Sequence, residues 1–255
     1  MTCKICSKEN KVIFSGEILK KYKVDYFYCD TCKFLQTEEP YWLNEAYKYP
    51  INIYDTGYMF RNIYYSKRLT ILLSVMFSKN GSFLDYAGGY GVFVRLMRDN
   101  GFDFYWDDKY TENKFAKGFE NNGKITNYDA ITLFEVFEHL DNPTVEIENL
   151  LKMTKTLIFS TDILPRSIPN LNQWDYYGQE HGQHISFYSI ETFKFIAKKY
   201  SLNYYNDASL HILTNLKISN LKIKLTKLAK FGLHKFYLYS RKSKTYSDHL
   251  LLKKL

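Results

Sequence analysis

The chain has 255 residues, of which 45% are hydrophobic and 18% aromatic, and its formal net charge is +8. This length predicts one large domain, or one domain with an appendage, around a sizeable core. No run of about 18 apolar residues occurs, which excludes a predicted membrane-spanning helix. Residues 217–255 hold 11 Lys/Arg and one acid, leaving 24 basic and 26 acidic residues elsewhere. The body is therefore near neutral, and the basic pI does not indicate a nucleic-acid-binding protein.

Residues 1–40 contain four cysteines in two C-x-x-C pairs: Cys3, Cys6, Cys29 and Cys32. A two-residue gap lets a tight turn aim both thiolates at one ion, and four sulfurs complete a closed, structural zinc site. Because so short a segment cannot bury enough apolar surface alone, the metal would supply its folding energy. Four free thiols or a redox pair are the alternatives. With no apolar export signal ahead of them, these cysteines predict a cytoplasmic protein.

Residues 41–80 are predicted to link this segment to the body. A short helix follows Pro40, and a longer helix covers residues 63–77 and ends at a turn over residues 78–81. The predicted main domain then occupies residues 81–216, and a basic tail occupies residues 217–255.

The glycine-rich stretch at residues 83–93, FLDYAGGYGVF, predicts a strand, a tight loop and a helix. Glycines let the backbone turn sharply and let a ligand approach the main chain, and the next helix directs its free N–H groups at the loop. The dinucleotide fingerprint is not met, because Val94 stands where its third small residue belongs. A glycine-rich turn without a ligand is the alternative.

Acidic residues follow the next predicted strands. Residues 102–106 predict the second strand, and Asp108 lies 17 residues after Gly91, where nucleotide-binding α/β folds place a ribose-binding carboxylate. Asp107 is the alternative. Residues 130–134 predict a buried strand with Glu135 at its carboxyl end, where open sheets keep their chemistry. A helix over residues 141–153 and a strand over 156–161 complete an alternation that predicts a parallel sheet.

Five segments carry a resemblance over residues 3–215, in the order LDYAGGYG, WDDKY with FAKGFE, AITLFEVFEHL, LIFSTDILP and GQHISFYS. Together with the four cysteines, they make the chain similar to a bacterial group of class I S-adenosylmethionine (SAM) methyltransferases. The loop resembles that family's D-x-G-x-G-x-G pattern, with Asp85, Gly89 and Gly91 matching and Ala87 replacing the first glycine.

This resemblance implies a Rossmann-like α/β fold: a seven-stranded sheet with helices on both faces and an antiparallel last strand near residues 210–216. The third strand, between Gly123 and Asp129, is nearly absent from the sequence. The resemblance implies SAM as the cofactor and one set of cofactor-binding residues: Asp85, Ala87, Gly89, Gly91, Asp108 and Glu135. Arg61 is expected to pair with the methionyl carboxylate of SAM, or else to be an ordinary surface-paired arginine.

The polar, glycine-punctuated segment at residues 173–186 is the predicted acceptor site. Methyl transfer requires the protein to hold the acceptor close to the methyl group and to remove its proton. Histidine suits that task near neutral pH. His181 is the predicted general base, with His184 and Glu138 as competitors, and Tyr177 is expected to help hold the acceptor. Packed histidines and a helix-capping acid are the alternatives.

In the tail, four apolar residues recur at helical spacing among lysines: Ile218, Leu221, Leu225 and Leu228. This pattern predicts a basic amphipathic helix that lies on an anionic membrane surface or binds an acidic partner. The alternative is that its apolar face packs on the body.

Taken together, these features predict a SAM-dependent methyltransferase with a structural zinc ion. The resemblance implies small acceptors, so a hydroxyl of a nucleotide-sugar or of a surface-polysaccharide precursor is expected. A nucleic-acid methyltransferase and a non-catalytic SAM-fold interaction module are the alternatives. The near-neutral body argues against nucleic acid. We expect a cytoplasmic location, with the tail at the inner face of the membrane as a further alternative.

Overall fold

The computed structural model describes residues 1–49, 51, 53 and 55–254, apart from the side chain of Asn220. In chain order its strands are β1 (Lys11–Ile18), β2 (Tyr22–Tyr28), β3 (Leu35–Thr37), β4 (Ser82–Tyr86), β5 (Asp103–Asp107), β6 (Ala130–Phe134), β7 (Thr156–Ser160), β8 (Ser186–Phe187), β9 (Asn203–Asn206) and β10 (His211–Thr214). Its helices are α1 (Leu43–Ala46), α2 (Tyr58–Met76), α3 (Val92–Asp99), α4 (Pro143–Met153), α5 (Ile190–Lys199), α6 (Asn220–Thr226), α7 (Leu233–Leu238) and α8 (Thr245–Leu252).

The cysteine-containing segment belongs to a four-stranded sheet in the order β1-β2-β3-β8. All three strand pairs are antiparallel, and β3 meets β8 where Leu35 lies opposite Phe187. Apolar side chains from these strands form one cluster with Tyr26, Trp42 and Tyr177. The N-terminal sheet is therefore completed by residues that directly follow the predicted acceptor segment.

The second sheet has six strands in the order β5-β4-β6-β7-β10-β9. Strand β4 pairs parallel with both β5 and β6, and β10 pairs antiparallel with β9. This arrangement confirms the Rossmann-like α/β fold. Among the described residues the sheet has six strands rather than the expected seven, because the polar stretch after β5 forms only an isolated parallel bridge between Trp106 and Glu120.

The chain forms two compact units, each made of separate stretches of sequence. The first comprises Met1–Asn52, Phe134–Lys152 and Ile158–Asn215, and contains the cysteines and the predicted acceptor segment. The second comprises Ile53–Leu133, Met153–Leu157 and Leu216–Leu255, and contains the glycine loop and the basic tail. The division into residues 1–40, 41–80, 81–216 and 217–255 stays a prediction.

Within the second unit, the basic tail packs against α2. Arg68 of α2 is buried and donates a 2.7 Å hydrogen bond to Thr226 of α6. The buried positions of the tail include Ile223 and Thr226, whereas Leu221 is 74% exposed, so the buried face is offset from the predicted apolar stripe. The described part of the tail is divided among α6, α7 and α8 instead of forming one long helix, and Ile218 of the predicted stripe is buried ahead of α6. No helix in the described part of the chain is both long and apolar enough to cross a bilayer.

Candidate active site and metal centres

The four cysteines lie together in the first unit. The sulfurs of Cys3 and Cys32 are 3.5 Å apart and those of Cys6 and Cys29 are 3.4 Å apart, too far for a disulfide bond. All four sulfurs lie within 4.8 Å of one another. Around a tetrahedral zinc ion with bonds of 2.3 Å, sulfurs lie about 3.8 Å apart. The cluster therefore has nearly the dimensions that a zinc ion requires.

Both C-x-x-C pairs adopt the same turn. The N–H of Ser7 donates to the carbonyl of Cys3, and the N–H of Lys33 donates to the carbonyl of Cys29. Ser7 and Lys33 share a φ of +59°. A hydrogen bond with Cys32 lowers the pKa of Cys3 to about 5, while burial raises the pKa of Cys6 to about 11. The spacing of each pair thus produces the expected knuckle.

The short helix α1 and the cysteine segment before it position the predicted acceptor segment within the first unit. The indole N–H of Trp42 donates a 2.8 Å hydrogen bond to the carbonyl of Gly182. The side-chain amide of Gln183 donates to the carbonyl of Ala46 at 2.9 Å. Both contacts hold the two residues that lie between His181 and His184. The cysteine segment contributes as well, because the N–H of Leu19 donates to the carbonyl of Gln179 at 2.8 Å and the N–H of Thr37 donates to the carbonyl of Ile185 at 3.0 Å.

In the second unit, the glycine loop connects β4 to α3. Ala87, Gly89 and Gly91 have φ angles of +55°, +55° and +83°, in the left-handed region. A Cβ on Gly89 would lie 2.7 Å from the hydroxyl oxygen of Tyr58, so this position requires glycine. Ala87 adopts the same conformation with a Cβ, at a cost of about 1 kcal/mol. The loop therefore has the expected left-handed turns despite the Ala87 substitution.

Asp85 supports this loop from the interior of the second unit. Its side chain is buried, and its Oδ1 accepts a hydrogen bond from the hydroxyl of Thr132. Burial raises the pKa of Asp85 to about 7, against the opposing effect of the Thr132 hydrogen bond. A Cβ on Gly88 would lie 2.7 Å from Oδ2 of Asp85, so the carboxyl lies directly against the turn.

Asp108 holds the loop from the end of β5. Its Oδ2 accepts the N–H of Gly89 at 2.9 Å, and its Oδ1 accepts the N–H groups of Tyr110 and Thr111 at 2.7 and 2.9 Å. A carboxylate offers about four acceptor sites, so one is left for a further donor. Asp107, the alternative, accepts a 2.8 Å hydrogen bond from the side-chain amide of Asn121.

Tyr58 of α2 contacts the glycine loop, and Arg61 lies one turn further along the same helix. The hydroxyl of Tyr58 accepts the N–H of Tyr90 at 3.1 Å, a contact that no sequence pattern indicated. Arg61 forms a 2.7 Å ion pair with Asp55. This pairing is the alternative considered for Arg61, and its contact with a methionyl carboxylate stays a prediction.

Glu135, in the first unit, follows β6 in a strained conformation. Its φ is +54°, which is uncommon outside glycine, and such strain is concentrated at functional sites. Its N–H donates to the hydroxyl oxygen of Ser160 at 3.0 Å, and its carboxylate accepts the hydroxyl proton of the same serine. Ser160 thus fixes both ends of this residue.

Glu138, His139 and His184 come together in the first unit. One potential ligand atom from each lies within 4.8 Å of the others. Glu138 is fully buried, and its carboxylate oxygens make no hydrogen bond of ordinary geometry with a described residue, although the hydroxyls of Tyr176 and Thr161 oppose the rise of its pKa. Burial, reinforced by the charge of Glu135, raises the pKa of Glu138 well above its usual value.

The rings of His181 and His184 meet at a centroid distance of 4.7 Å, but their hydrogen bonds differ. Nδ1 of His184 lies 2.6 Å from the carbonyl of Tyr176 and must donate to it, which leaves the Nε2 lone pair available. Nδ1 of His181 accepts the N–H of Gln183 at 3.1 Å. A neutral His181 ring in this position therefore carries its proton on Nε2. Burial lowers the pKa of both rings, more strongly for His184.

Tyr177 does not line this cluster. It is 1% exposed, donates its hydroxyl proton to the carbonyl of Pro169, and packs in the apolar core of the first unit. The neighbouring Tyr176 instead packs against His184 with its ring tilted by 51° at a centroid distance of 4.6 Å, and its hydroxyl lies 3.0 Å from that of Thr161. The expected contact of Tyr177 with an acceptor is not supported by this position.

A family model described as a methyltransferase domain matches residues 59–206, which is more than half of the chain. The chain belongs to this methyltransferase family. No curated protein matches the sequence.

Solved structures that resemble the chain are distant from it. CalO1, a methyltransferase in calicheamicin biosynthesis solved with SAH, is 13% identical, with a TM-score of 0.41, over 60% of this chain and 54% of its own. An O-methyltransferase family 2 protein from Planctomyces limnophilus, solved with apigenin, is 14% identical, with a TM-score of 0.40, over 60% of this chain and 62% of its own. The plantazolicin methyltransferase BpumL, solved with SAH, is 16% identical, with a TM-score of 0.43, over 62% of this chain and 85% of its own. The chain thus matches little more than half the length of the first two.

In this member of the methyltransferase family, the residues predicted from sequence fall into two groups. The second unit contains the loop residues and their neighbours: Arg61, Asp85, Ala87, Gly89, Gly91 and Asp108. The first unit contains the cysteines and the acceptor candidates: Glu135, Glu138, Tyr177, His181 and His184. Tyr58 and Tyr176 were missed, because an isolated tyrosine in an aromatic-rich sequence carries no positional signal.

Proposed function

We propose that the protein transfers a methyl group from SAM to a hydroxyl of a small polar acceptor, namely a nucleotide-sugar or a surface-polysaccharide precursor. The observation that carries this proposal is the loop between β4 and α3. Ala87, Gly89 and Gly91 adopt the left-handed conformation that produces its tight turns, and Asp108 anchors the Gly89 N–H. Membership of the methyltransferase family supports the same reaction class.

The residues of the second unit fit a nucleoside-containing cofactor. The remaining acceptor site on Asp108 suits a ribose hydroxyl, and the glycine-rich main chain beside it permits close approach of a ligand. Asp85 supports the loop from beneath, and Arg61 is the proposed partner of the methionyl carboxylate. SAM would supply an electrophilic methyl group on a sulfonium.

In the first unit, the hydrogen bonds favour His184 over His181 as the proton acceptor. A hydroxyl must give up its proton as it is methylated, and the base needs a free lone pair within reach. His184 has that lone pair on Nε2, because its Nδ1 donates to Tyr176. His181 would first have to break its hydrogen bond with Gln183 or turn its ring. The proposed role of His181 is therefore to bind the acceptor through its Nε2 proton.

Zinc at the four cysteines is part of the proposal, with a structural role. Four thiolates leave no position for an exchangeable ligand, so the ion would hold the knuckles rather than act on the acceptor. Reduced cysteines and their metal suit the cytoplasm, which is the proposed location. In this proposal the tail packs on the second unit and does not serve as a membrane anchor, because the hydrogen bond between Arg68 and Thr226 joins the tail to α2.

Binding of SAM and transfer of labelled methyl groups test this function. Calorimetry of the full chain should show SAM binding that weakens about 5- to 150-fold in Asp108→Ala, the equivalent of losing about 1–3 kcal/mol of hydrogen bonding. Gly89→Val should abolish binding because its side chain would meet the Tyr58 hydroxyl. Asp107→Asn is the matched control and should bind normally.

The acceptor is tested by incubating the protein with methyl-labelled SAM and a set of nucleotide-sugars. Label should enter the sugar fraction and not RNA or DNA. Wild-type affinity for SAM in both Asp108→Ala and Gly89→Val would contradict the proposed cofactor site. Binding of SAM without transfer to any small-molecule or nucleic-acid fraction would instead favour an interaction module.

A further inference from the structure

The first unit contains a second group of side chains suited to a metal ion, separate from the cysteines. Glu138 and His139 lie on one short turn after β6, and His184 precedes β8. One ligand atom from each residue lies within 4.8 Å of the other two. Around an ion with bonds of about 2.1 Å, tetrahedral ligands lie about 3.4 Å apart, so shifts of about 1 Å would close the site.

The two imidazole rings are oriented as metal ligands usually are. Nδ1 of His139 lies 3.1 Å from the carbonyl of Gln183, and Nδ1 of His184 lies 2.6 Å from the carbonyl of Tyr176. A carbonyl oxygen can only accept, so both Nδ1 atoms carry the proton and both Nε2 atoms keep a lone pair. Metal-binding histidines characteristically donate their other ring N–H to a carbonyl or carboxylate. The main chain therefore fixes the tautomer of both rings and places the basic nitrogen of each at Nε2.

Glu138 provides an independent observation. Its side chain is fully buried, and both carboxylate oxygens lack a hydrogen-bond partner among the described residues. A buried polar group without partners is costly, and buried carboxylates are usually paired or coordinate a metal. The main chain holds this residue firmly, because its carbonyl accepts the N–H of Ile185 at 2.9 Å. A cation at the two Nε2 atoms would satisfy this carboxylate.

We propose that Glu138, His139 and His184 bind one divalent transition-metal ion. Two neutral imidazoles and one carboxylate suit Zn²⁺, Mn²⁺, Fe²⁺ or Co²⁺ and leave further coordination positions open. Mg²⁺ is disfavoured because it prefers an all-oxygen set. The group differs from the four cysteines in having open positions for an exchangeable ligand.

The open positions suggest what the ion does, and this step rests on the proposed function. An acceptor hydroxyl that coordinates the ion becomes more acidic and loses its proton to water, so the ion would bind the acceptor and activate it. In the metal-bound protein His184 is a ligand, and the role of base that the proposed function gives to His184 passes to water. The acceptor class narrows to molecules that present an oxygen able to coordinate a metal, such as a sugar with neighbouring hydroxyl groups.

Mn²⁺ binding tests the site, because Mn²⁺ has little affinity for four thiolates. Full-length protein that retains a single zinc ion per chain should bind one Mn²⁺ per chain, as measured by calorimetry and by loss of the electron paramagnetic resonance signal of free Mn²⁺. Glu138→Gln, His139→Gln and His184→Gln should each weaken binding at least 10-fold. His249→Gln alters an exposed histidine on α8 and should bind as the wild type does. Circular dichroism and the zinc content identify any variant that fails to fold.

Each outcome separates this inference from the proposed function. Absence of Mn²⁺ binding to the wild type, or Mn²⁺ binding unchanged in all three folded variants, overturns the metal site. SAM binding measured in parallel should be the same in wild type and His184→Gln, because the two sites use different residues. Normal SAM binding without a metal refutes only the metal site, whereas metal binding without SAM binding refutes only the proposed cofactor.

Discussion

Asp248, near the C-terminus, should make one of the largest single contributions to the stability of the second unit. Its carboxylate accepts two hydrogen bonds of 2.8 Å from Arg98, in a side-by-side arrangement, and a third of 3.0 Å from Arg95. The side chains of Arg98 and Asp248 are only 4% and 5% exposed. Asp248→Asn keeps the shape and removes the charge, which leaves the Arg98 guanidinium buried with fewer partners.

The expected cost follows from these contacts. Unit charges about 4 Å apart attract by about 4 kcal/mol at an effective dielectric constant near 20, and breaking one side of a buried pair costs about 3–5 kcal/mol. Arg98 keeps a 2.9 Å ion pair with Asp103 and lies 3.6 Å from the ring centre of Phe119, so the lower end of that range applies. We expect a loss of about 3 kcal/mol, or roughly 6 °C in Tm for a chain of this length.

Urea unfolding and thermal unfolding of the two proteins measure this difference. Burial opposes ionisation of Asp248, but Arg98 outweighs it and lowers the pKa of the carboxyl. A lowered carboxyl pKa gives stability that is present above the unfolded value of about 3.9 and is lost below it. The difference between Asp248→Asn and wild type should therefore shrink as the pH falls below about 4.

An exposed ion pair provides the matched control. Glu112 and Lys117 lie 3.3 Å apart, with side chains 67% and 66% exposed. Glu112→Gln should change stability by less than about 0.5 kcal/mol. If Asp248→Asn lowers stability near neutral pH by no more than Glu112→Gln does, the tail is not anchored through Arg98 and the predicted contribution of Asp248 is wrong.

Two further predictions concern the first unit. Burial lowers the pKa of His211 to about 4, so the stability that its neutral form contributes is lost as the pH falls from about 6.5 to 4. In acid titrations monitored by circular dichroism, this loss of stability should reach about 3 kcal/mol. The loss should be absent in His211→Phe but present in the exposed-site control His249→Gln. Purified protein should carry one zinc ion per chain at the cysteines. Cys29→Ser should lose this ion, which would expose the N-terminal sheet to proteolysis. Wild-type protein with almost no zinc and four freely titrating thiols would disprove the structural site.

Local sequence patterns were sufficient for features whose geometry is also local. A two-residue gap between cysteines determines a knuckle, and both pairs form the same turn. Glycines after an apolar strand determine a left-handed loop, and the loop at residues 87–91 has it. The alternation of apolar strands with helices likewise predicted the α/β sheet, because a parallel strand pair needs a crossover between its members. The missing third strand was visible as a polar stretch.

Only the tertiary structure decided which side chains meet and which lone pairs are free. Tyr176 and Tyr177 are neighbours in sequence, yet one contacts His184 and the other lies in the apolar core. Whether His181 or His184 is the better proton acceptor depends on the group that faces Nδ1 of each ring, an N–H for His181 and a carbonyl for His184. Packing between segments far apart in the chain sets these contacts. The same holds for Glu138, because burial and the lack of a partner are properties of the folded chain. Sequence determines local backbone geometry, whereas hydrogen bonding at these sites depends on segments far apart in the chain.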